Sequence, residues 1–345
     1  MGLNQEYKNG LIKQMDSAIN GEVVKIPNAL GERVGKVYNL LPSRYTLIAG
    51  ATGSGKTAFT DNHFVLEPFR HLRTNDADVH WEVVYFSLER KQMFKHAKWI
   101  AWMIYMDTGV KISADQILGW SDKPLTEELY NAVRQYDPII NDLLNHVTIY
   151  DGKMSTKAIE SIVRNKALQL GTFFFANEQG VFKQNDPVPI KTFDTDGVEV
   201  ETPAGHVKEI ELEFNGEKFT LRPHQHRYFL NNPKTFCFII IDGIGLVGGS
   251  EFSKKKSSID KVSEILAEAR DQFGFSPVVV SQINRSLGDV QRQKLHGSDL
   301  SPQLEDVQGS SQTSHDADLV LALFDAYRYK AYNSQGEYGG YSVTQ

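Results

Sequence analysis

Residues 50–57 read Gly-Ala-Thr-Gly-Ser-Gly-Lys-Thr. Gly50, Gly53 and Gly55 remove side chains where a backbone must wrap a tetrahedral anion, and the intervening Ala51, Thr52 and Ser54 are small. N–H groups in such a loop converge on one point, and a helix starting at its end adds the positive end of its dipole. Lys56 brings a point charge for β- and γ-phosphates, and the Thr57 hydroxyl is a hard oxygen donor for Mg²⁺. The pattern is that of a phosphate-binding loop. The chain is expected to bind ATP, or another nucleoside triphosphate, through these residues.

Such a loop needs an acid for the metal, an acid for the attacking water and a reporter of the γ-phosphate. Asp242 follows the apolar run 236–241 and is the candidate metal acid, together with Thr57. Residue 243 is glycine, so the acid that activates water must come from another strand. Glu89 closes the sequence Ser87-Leu88-Glu89 after the apolar run 83–87. A carboxylate at the carboxyl end of a neighbouring strand points into the same crevice and can accept a proton from water. Gln282 ends the run 277–281, and its amide can hydrogen-bond a γ-phosphate or its water. Lys254, Lys255 and Lys256 follow Asp242, and Arg285, Arg292 and Lys294 follow Gln282. Basic loops leaving strand ends beside a nucleotide suit a sequence-independent grip on single-stranded DNA. His224-Gln225-His226 reads as a surface strand, because no cysteine or carboxylate stands at ligand spacing.

These groups need strands that end side by side. The runs 45–49, 83–87, 147–150, 236–241, 277–281 and 319–324 are short and continuously apolar, as strands buried on both faces are. Helical patterns alternate with them, at 58 to about 70, 91–107, 126–145, 155–170 and 257–273. In the last, Ile259, Val262, Ile265, Leu266, Ala269 and Phe273 share one face. The expected fold is therefore α/β, with a mainly parallel sheet covered by helices on both faces. Residues 1–40 read as a helical lead-in, 41–171 as the first part of the core and 235–345 as its second part. Residues 172–234 break the rhythm with a period of two and read as a β-rich insertion. Within it, Asn215-Gly216 predicts a two-residue turn that pairs Glu213 with Lys218, Leu212 with Phe219 and Ile210 with Leu221.

The chain has 345 residues, 41% of them hydrophobic and 23% charged, an ordinary globular balance. No apolar run reaches the roughly 18 residues of a membrane span, and the N-terminus has no signal-peptide core. Cys237 is the lone cysteine, which excludes an intrachain disulfide and fits a reducing cytoplasm. A net charge of −6 means that any nucleic-acid surface is local.

Together the motifs resemble the RecA-like core of DnaB-type replicative helicases. The match rests on residues 50–57, Phe86-Ser87-Leu88-Glu89, Ile240-Ile241-Asp242, the run Ser281-Gln282-Ile283-Asn284-Arg285-Ser286-Leu287, and 302–319 with Asp306, Ser310 and Asp316-Ala317-Asp318. It covers roughly residues 25 to 325 apart from the insertion. The resemblance implies Glu89 as catalytic base, Asp242 as the Mg²⁺ acid and Gln282 as γ-phosphate sensor. It also implies a homo-hexamer on single-stranded DNA, 5′-to-3′ movement, primase or other replisome partners, and a phage-type member of the family. Gln308 and Gly309 stand where the family has Arg and Glu. About 40 residues precede the core, so the family's helical N-terminal domain is expected to be missing. The basic finger that reaches a neighbour's nucleotide is expected beyond Gln345, with Arg328 and Lys330 early for that role. Two other readings share the core: a RecA- or RadA-type recombination ATPase, and a regulatory nucleotide-switch assembly. Asn284-Arg285-Ser286 and the Asp-Ala-Asp stretch favour the helicase, and Glu89 beside Lys56 argues against a switch without catalysis.

Overall fold

The computed structural model describes residues 12, 15–16, 19–20, 25–26, 38–75, 79–177, 180–183, 192–193, 199–200, 210–222, 224–248, 252–283, 302–307, 311–329, 337–338 and 341–342. The core begins with β1 (Thr46–Gly50), α1 (Lys56–Asp61), a π-helical segment (Asn62–Leu66) and α2 (Glu67–Asn75). It continues through β2 (His80–Ser87), α3 (Gln92–Thr108), α4 (Ala114–Ile117), α5 (Glu127–Gln135), α6 (Asp137–His146), β3 (Val147–Asp151) and α7 (Thr156–Leu170). The β-rich segment that follows supplies β4 (Gly171–Asn177), β5 (Gly180–Lys183), β6 (Ile210–Phe214), β7 (Glu217–Leu221) and β8 (His226–Leu230). The core resumes with β9 (Thr235–Asp242), α8 (Phe252–Phe273), β10 (Ser276–Gln282), α9 (Ser311–Asp316) and β11 (Leu319–Leu323).

Six strands form the central sheet in the order β11-β1-β10-β9-β2-β3, and every neighbouring pair is parallel. This is the α/β arrangement with a parallel sheet that the apolar runs predicted. Alternation along each strand feeds two separate cores. Phe236, Phe238 and Ile240 of β9 join Tyr85, Trp99 and Phe64 on one face. Cys237, Ile239 and Ile241 join Val163, Val262 and Leu266 on the other. All of β9 is buried, which explains why its sequence shows a continuous apolar run and no polar alternation.

Two helices depart from the expected bounds. The predicted helix 126–145 is two helices, broken at Tyr136, because Pro138 lacks an N–H and sits in the first turn of α6. The helix predicted from residue 58 starts at Lys56, inside the glycine loop, and passes through the π turn before α2. The short helices α4 and α9 have no counterpart among the expected elements, α8 starts five residues before the expected 257, and most of the lead-in expected over 1–40 lies outside the described residues.

The amino end of β1 is pinned by polar contacts. Asp318 accepts from the Tyr45 backbone N–H at 2.8 Å and from Arg270 at 3.1 Å. Ser263 donates to Asp316 at 2.6 Å and shares a hydrogen bond with the Tyr45 hydroxyl at 3.1 Å. The Asp316-Ala317-Asp318 motif thus ties β11 and α8 to β1 at the end away from the glycine loop.

In the β-rich segment, β8, β4 and β5 form one sheet and β6 and β7 a hairpin. The hairpin has the predicted register, Glu213 opposite Lys218 and Leu212 opposite Phe219. Asn215 and Gly216 both have positive φ, 53° and 77°, as that turn requires. Phe219 and Leu221 are buried against Phe174, and Glu213 and Lys218 are exposed. This β-rich segment packs on the helices beside it: Phe173 and Tyr228 lie against Phe273 of α8, and the Tyr228 hydroxyl donates to the Ala167 carbonyl of α7. His226 opens β8 and is exposed, as is His224.

Candidate active site

Strand register brings the candidate residues to one edge. Gly50 lies opposite Gln282, while Asp242 lies opposite Val280 on one side and Ser87 on the other. The glycine loop, Gln282, Asp242 and the chain leading to Glu89 therefore all leave the carboxyl end of the sheet. In an open α/β sheet this is where a ligand crevice forms.

Gly53 and Gly55 hold φ of 82° and 84°, a region costly for any residue with a β-carbon. Gly55 caps α1, so the first-turn N–H groups face the loop. Lys56 Nζ donates to the carbonyls of Gly50 and Ala51, each at 2.9 Å. Half-burial lowers the Lys56 pKa, and the nearby carboxylates of Glu89 and Asp242 oppose that shift. Thr57 Oγ1 donates to Asp242 Oδ1 at 3.1 Å. A hydroxyl paired with a carboxylate is the hard-oxygen donor set that suits Mg²⁺ alongside substrate phosphates, so the residues fit the implied cation.

Glu89 reaches this site because residue 243 has no side chain. Gly243 has φ of 94°, and a β-carbon built on it would lie 2.8 Å from Glu89 Cγ. Glycine after Asp242 thus leaves room for the Glu89 side chain beside it. Glu89, Lys56, Thr57, Asp242 and Gln282 line one cavity of about 600 Å³. That volume falls within the range of small-molecule sites.

Behind Asp242 lies a buried polar group that the sequence reading missed. Lys95 of α3 donates to Asp61 Oδ1 at 2.9 Å, to Asp242 Oδ2 at 3.3 Å and to the Tyr85 hydroxyl at 2.7 Å. Its ammonium also sits 3.9 Å from the Tyr85 ring centroid. Tyr85 donates to Asp61 Oδ1 at 2.7 Å. Burial, with Asp61 and Asp242 beside it, pushes the Tyr85 phenol well above its ordinary pKa. The signal was present in the sequence: Lys95, Trp99 and Met103 fall at four-residue spacing, and all three are buried. A lysine in an apolar stripe needs a buried acid, and Asp61 supplies one.

Lys98 also lines the cavity, half-buried, with its ammonium 5.3 Å from the Phe94 ring. Among the basic residues expected to hold DNA, Lys256 lies at the rim of the same cavity and is exposed. The side chains of Lys254 and Lys255, and all of Arg285, Arg292 and Lys294, lie outside the described residues. So do Gln308, Gly309, Ser310 and Lys330. Arg328 is placed on its own chain's glycine loop, donating to the Thr52 carbonyl at 2.6 Å. Asp306 is a capping residue, accepting from the Gln303 backbone N–H at 2.7 Å.

No family model matches the chain, and no curated protein matches it. Among solved structures it is similar to a chain described as a DnaB-like replicative helicase studied with its interactions with primase, at 18% identity and a TM-score of 0.49. That match covers 85% of this chain and 50% of the other, so this chain spans about half the length of the structure it matches. No helix among the described residues is long and apolar enough to cross a membrane.

Proposed function

We propose that this chain is an ATP-hydrolysing motor of the DnaB helicase type that moves on single-stranded DNA during replication. One observation carries the proposal: Lys56, Thr57, Glu89, Asp242 and Gln282, predicted from separate segments, line a single cavity at the carboxyl end of a parallel sheet. The glycine loop and Lys56 bind the β- and γ-phosphates. The Thr57 hydroxyl and the Asp242 carboxylate would hold a magnesium ion, which would supply charge neutralisation on the phosphate oxygens. Glu89 orients a water and takes its proton as the water oxygen bonds to the γ-phosphorus and the bond to the ADP oxygen breaks. Gln282 hydrogen-bonds the γ-phosphate and reports its loss to the segment that follows β10. That segment, with Lys254, Lys255, Lys256, Arg285, Arg292 and Lys294, grips DNA phosphates. Ring assembly as a homo-hexamer, a primase or replisome partner, 5′-to-3′ movement, phage origin and a place in the cytoplasm complete the reading.

The test is phosphate release from ATP with and without single-stranded DNA, run beside displacement of a labelled strand from a forked duplex. The reading expects DNA-stimulated release and ATP-dependent displacement from one fork polarity. Release that ignores DNA, with no displacement, would overturn it. Strand exchange without displacement, with filaments in place of rings, would favour the recombination ATPase.

A further inference from the structure

Asp242 has two oxygens, and the fold gives them different partners. Oδ1 accepts from Thr57 and faces the cavity side, while Oδ2 accepts from Lys95 and Tyr85. Lys95 in turn is shared, closer to Asp61 at 2.9 Å than to Asp242 at 3.3 Å. All three charged side chains are almost fully buried, with relative exposures of 1% for Lys95, 5% for Asp61 and 1% for Asp242. Two carboxylates and one ammonium leave the group formally one negative charge in excess. Asp61 Oδ2 is buried and accepts no hydrogen bond among the described residues. Asp61 is therefore held here mainly by Lys95 and Tyr85, at the point where α1 turns into the π segment. Burying three charges is costly, and packing alone would be served as well by apolar residues of similar size.

We propose that Asp61 and Lys95 are positioning residues that divide one ammonium between two carboxylates and thereby set how strongly Asp242 attracts a divalent cation. The proposal rests on the nucleotide-site reading above. Asp61 draws the ammonium away from Asp242, so Asp242 keeps a charge to offer on its Oδ1 side. Lys95 and Tyr85 fix Oδ2, so Oδ1 stays turned toward Thr57. Partners that orient a metal ligand in this way change metal affinity by about ten- to a hundredfold when removed.

The two residues pull in opposite directions, which gives the test a sign. Asp61→Asn is nearly isosteric and frees Lys95 to pair fully with Asp242. The Mg²⁺ concentration for half-maximal binding of a fluorescent ATP analogue should then rise by about tenfold or more. Lys95→Met combined with Asp61→Asn restores one net negative charge, now on Asp242 alone with Tyr85 still holding its Oδ2, and should bring that concentration back to near the parent value. Melting without metal supplies a readout apart from nucleotide: Lys95→Met alone should melt well below the parent, and the double variant should recover most of the loss. A purely structural ion pair would show the same rescue in melting, so the Mg²⁺ dependence is the readout that separates the two roles. If Asp61→Asn leaves the Mg²⁺ dependence unchanged, or the double variant is as impaired in it as Asp61→Asn, the proposal is overturned. Should Asp61→Asn fail to fold, the double variant decides: parent-like Mg²⁺ dependence supports the proposal, and a shift of about tenfold or more refutes it. A parent chain that binds the analogue with no Mg²⁺ dependence overturns this inference, and one that does not bind it overturns the nucleotide-site reading as well.

Discussion

The two ends of β1 carry clusters built from the same residue types, and they behave differently. At the amino end, Asp318 holds the Tyr45 backbone N–H and Arg270 braces Asp318, with Asp318 43% and Arg270 19% exposed. At the carboxyl end, Lys95, Asp61 and Asp242 are shut away behind the glycine loop. Water screens the first cluster and barely reaches the second. A salt bridge half in water contributes little more than its hydrogen bonds, whereas a buried one is strongly coupled to every charge near it. Both clusters contain motifs that a sequence reading groups together, Asp242 in one and Asp316–Asp318 in the other. Which end of the strand a cluster occupies separates the candidate chemistry from architecture.

That contrast can be broken first at the carboxyl end. Lys56→Ala should lower triphosphate hydrolysis by about a hundred- to a thousandfold, the scale of a lost charge-stabilising donor, with circular dichroism unchanged. Parent-level hydrolysis in the variant would move the phosphate site elsewhere. Gly243→Ala should come next. Its β-carbon occupies the space Glu89 needs and forces an unfavourable φ, so single-turnover hydrolysis should fall by about a hundredfold. Normal turnover there would mean that Glu89 is not held by this contact.

A third test sharpens the role of burial. His63, in the π segment next to α1, is pushed down to about 4 by loss of solvation among Tyr38, Phe59 and Phe64. The unfolded chain, with a His pKa of about 6.5, binds the proton first. Stability should therefore be complete above about pH 6.5 and fall as pH drops toward 4, by at most about 3 kcal/mol from this group. His63→Phe should flatten that part of the urea-midpoint profile against pH, and an unchanged slope would assign it to other groups. Arg270, its pKa raised by its hydrogen bond to Asp271 and by Asp318, stays charged throughout, so the amino-end cluster adds nothing from that side chain. The smallest effect belongs to Asp318→Ala. It should cost about 1 kcal/mol in urea unfolding, the worth of a net hydrogen bond, and leave nucleotide binding untouched. A loss of binding would erase the distinction between the two ends.

Much of this was legible in the sequence, for identifiable reasons. Strands buried on both faces write themselves as apolar runs, so the positions of Asp242, Gln282 and Glu89 at strand ends could be read directly. The hairpin at Asn215-Gly216 was readable because its turn demands those residues and fixes the pairing. The break at Tyr136 was overlooked because the helical pattern continues across Pro138, which is tolerated in a first turn. Lys95, Asp61 and Tyr85 escaped notice because their partners lie on three different elements, and one-dimensional spacing cannot show a contact between Lys95 and Asp242. Nor does spacing show that Arg328 donates to the Thr52 carbonyl of the glycine loop, 276 residues away in sequence.

The central claim is that Glu89, admitted by Gly243, activates water at a triphosphate held by residues 50–57. Its most direct measurement pairs equilibrium binding of ATP with single-turnover phosphate release in Glu89→Gln, which keeps the shape and removes the proton acceptor. The account predicts parent-like binding and release slower by about a hundredfold or more. Release at the parent rate, with binding intact, would contradict it.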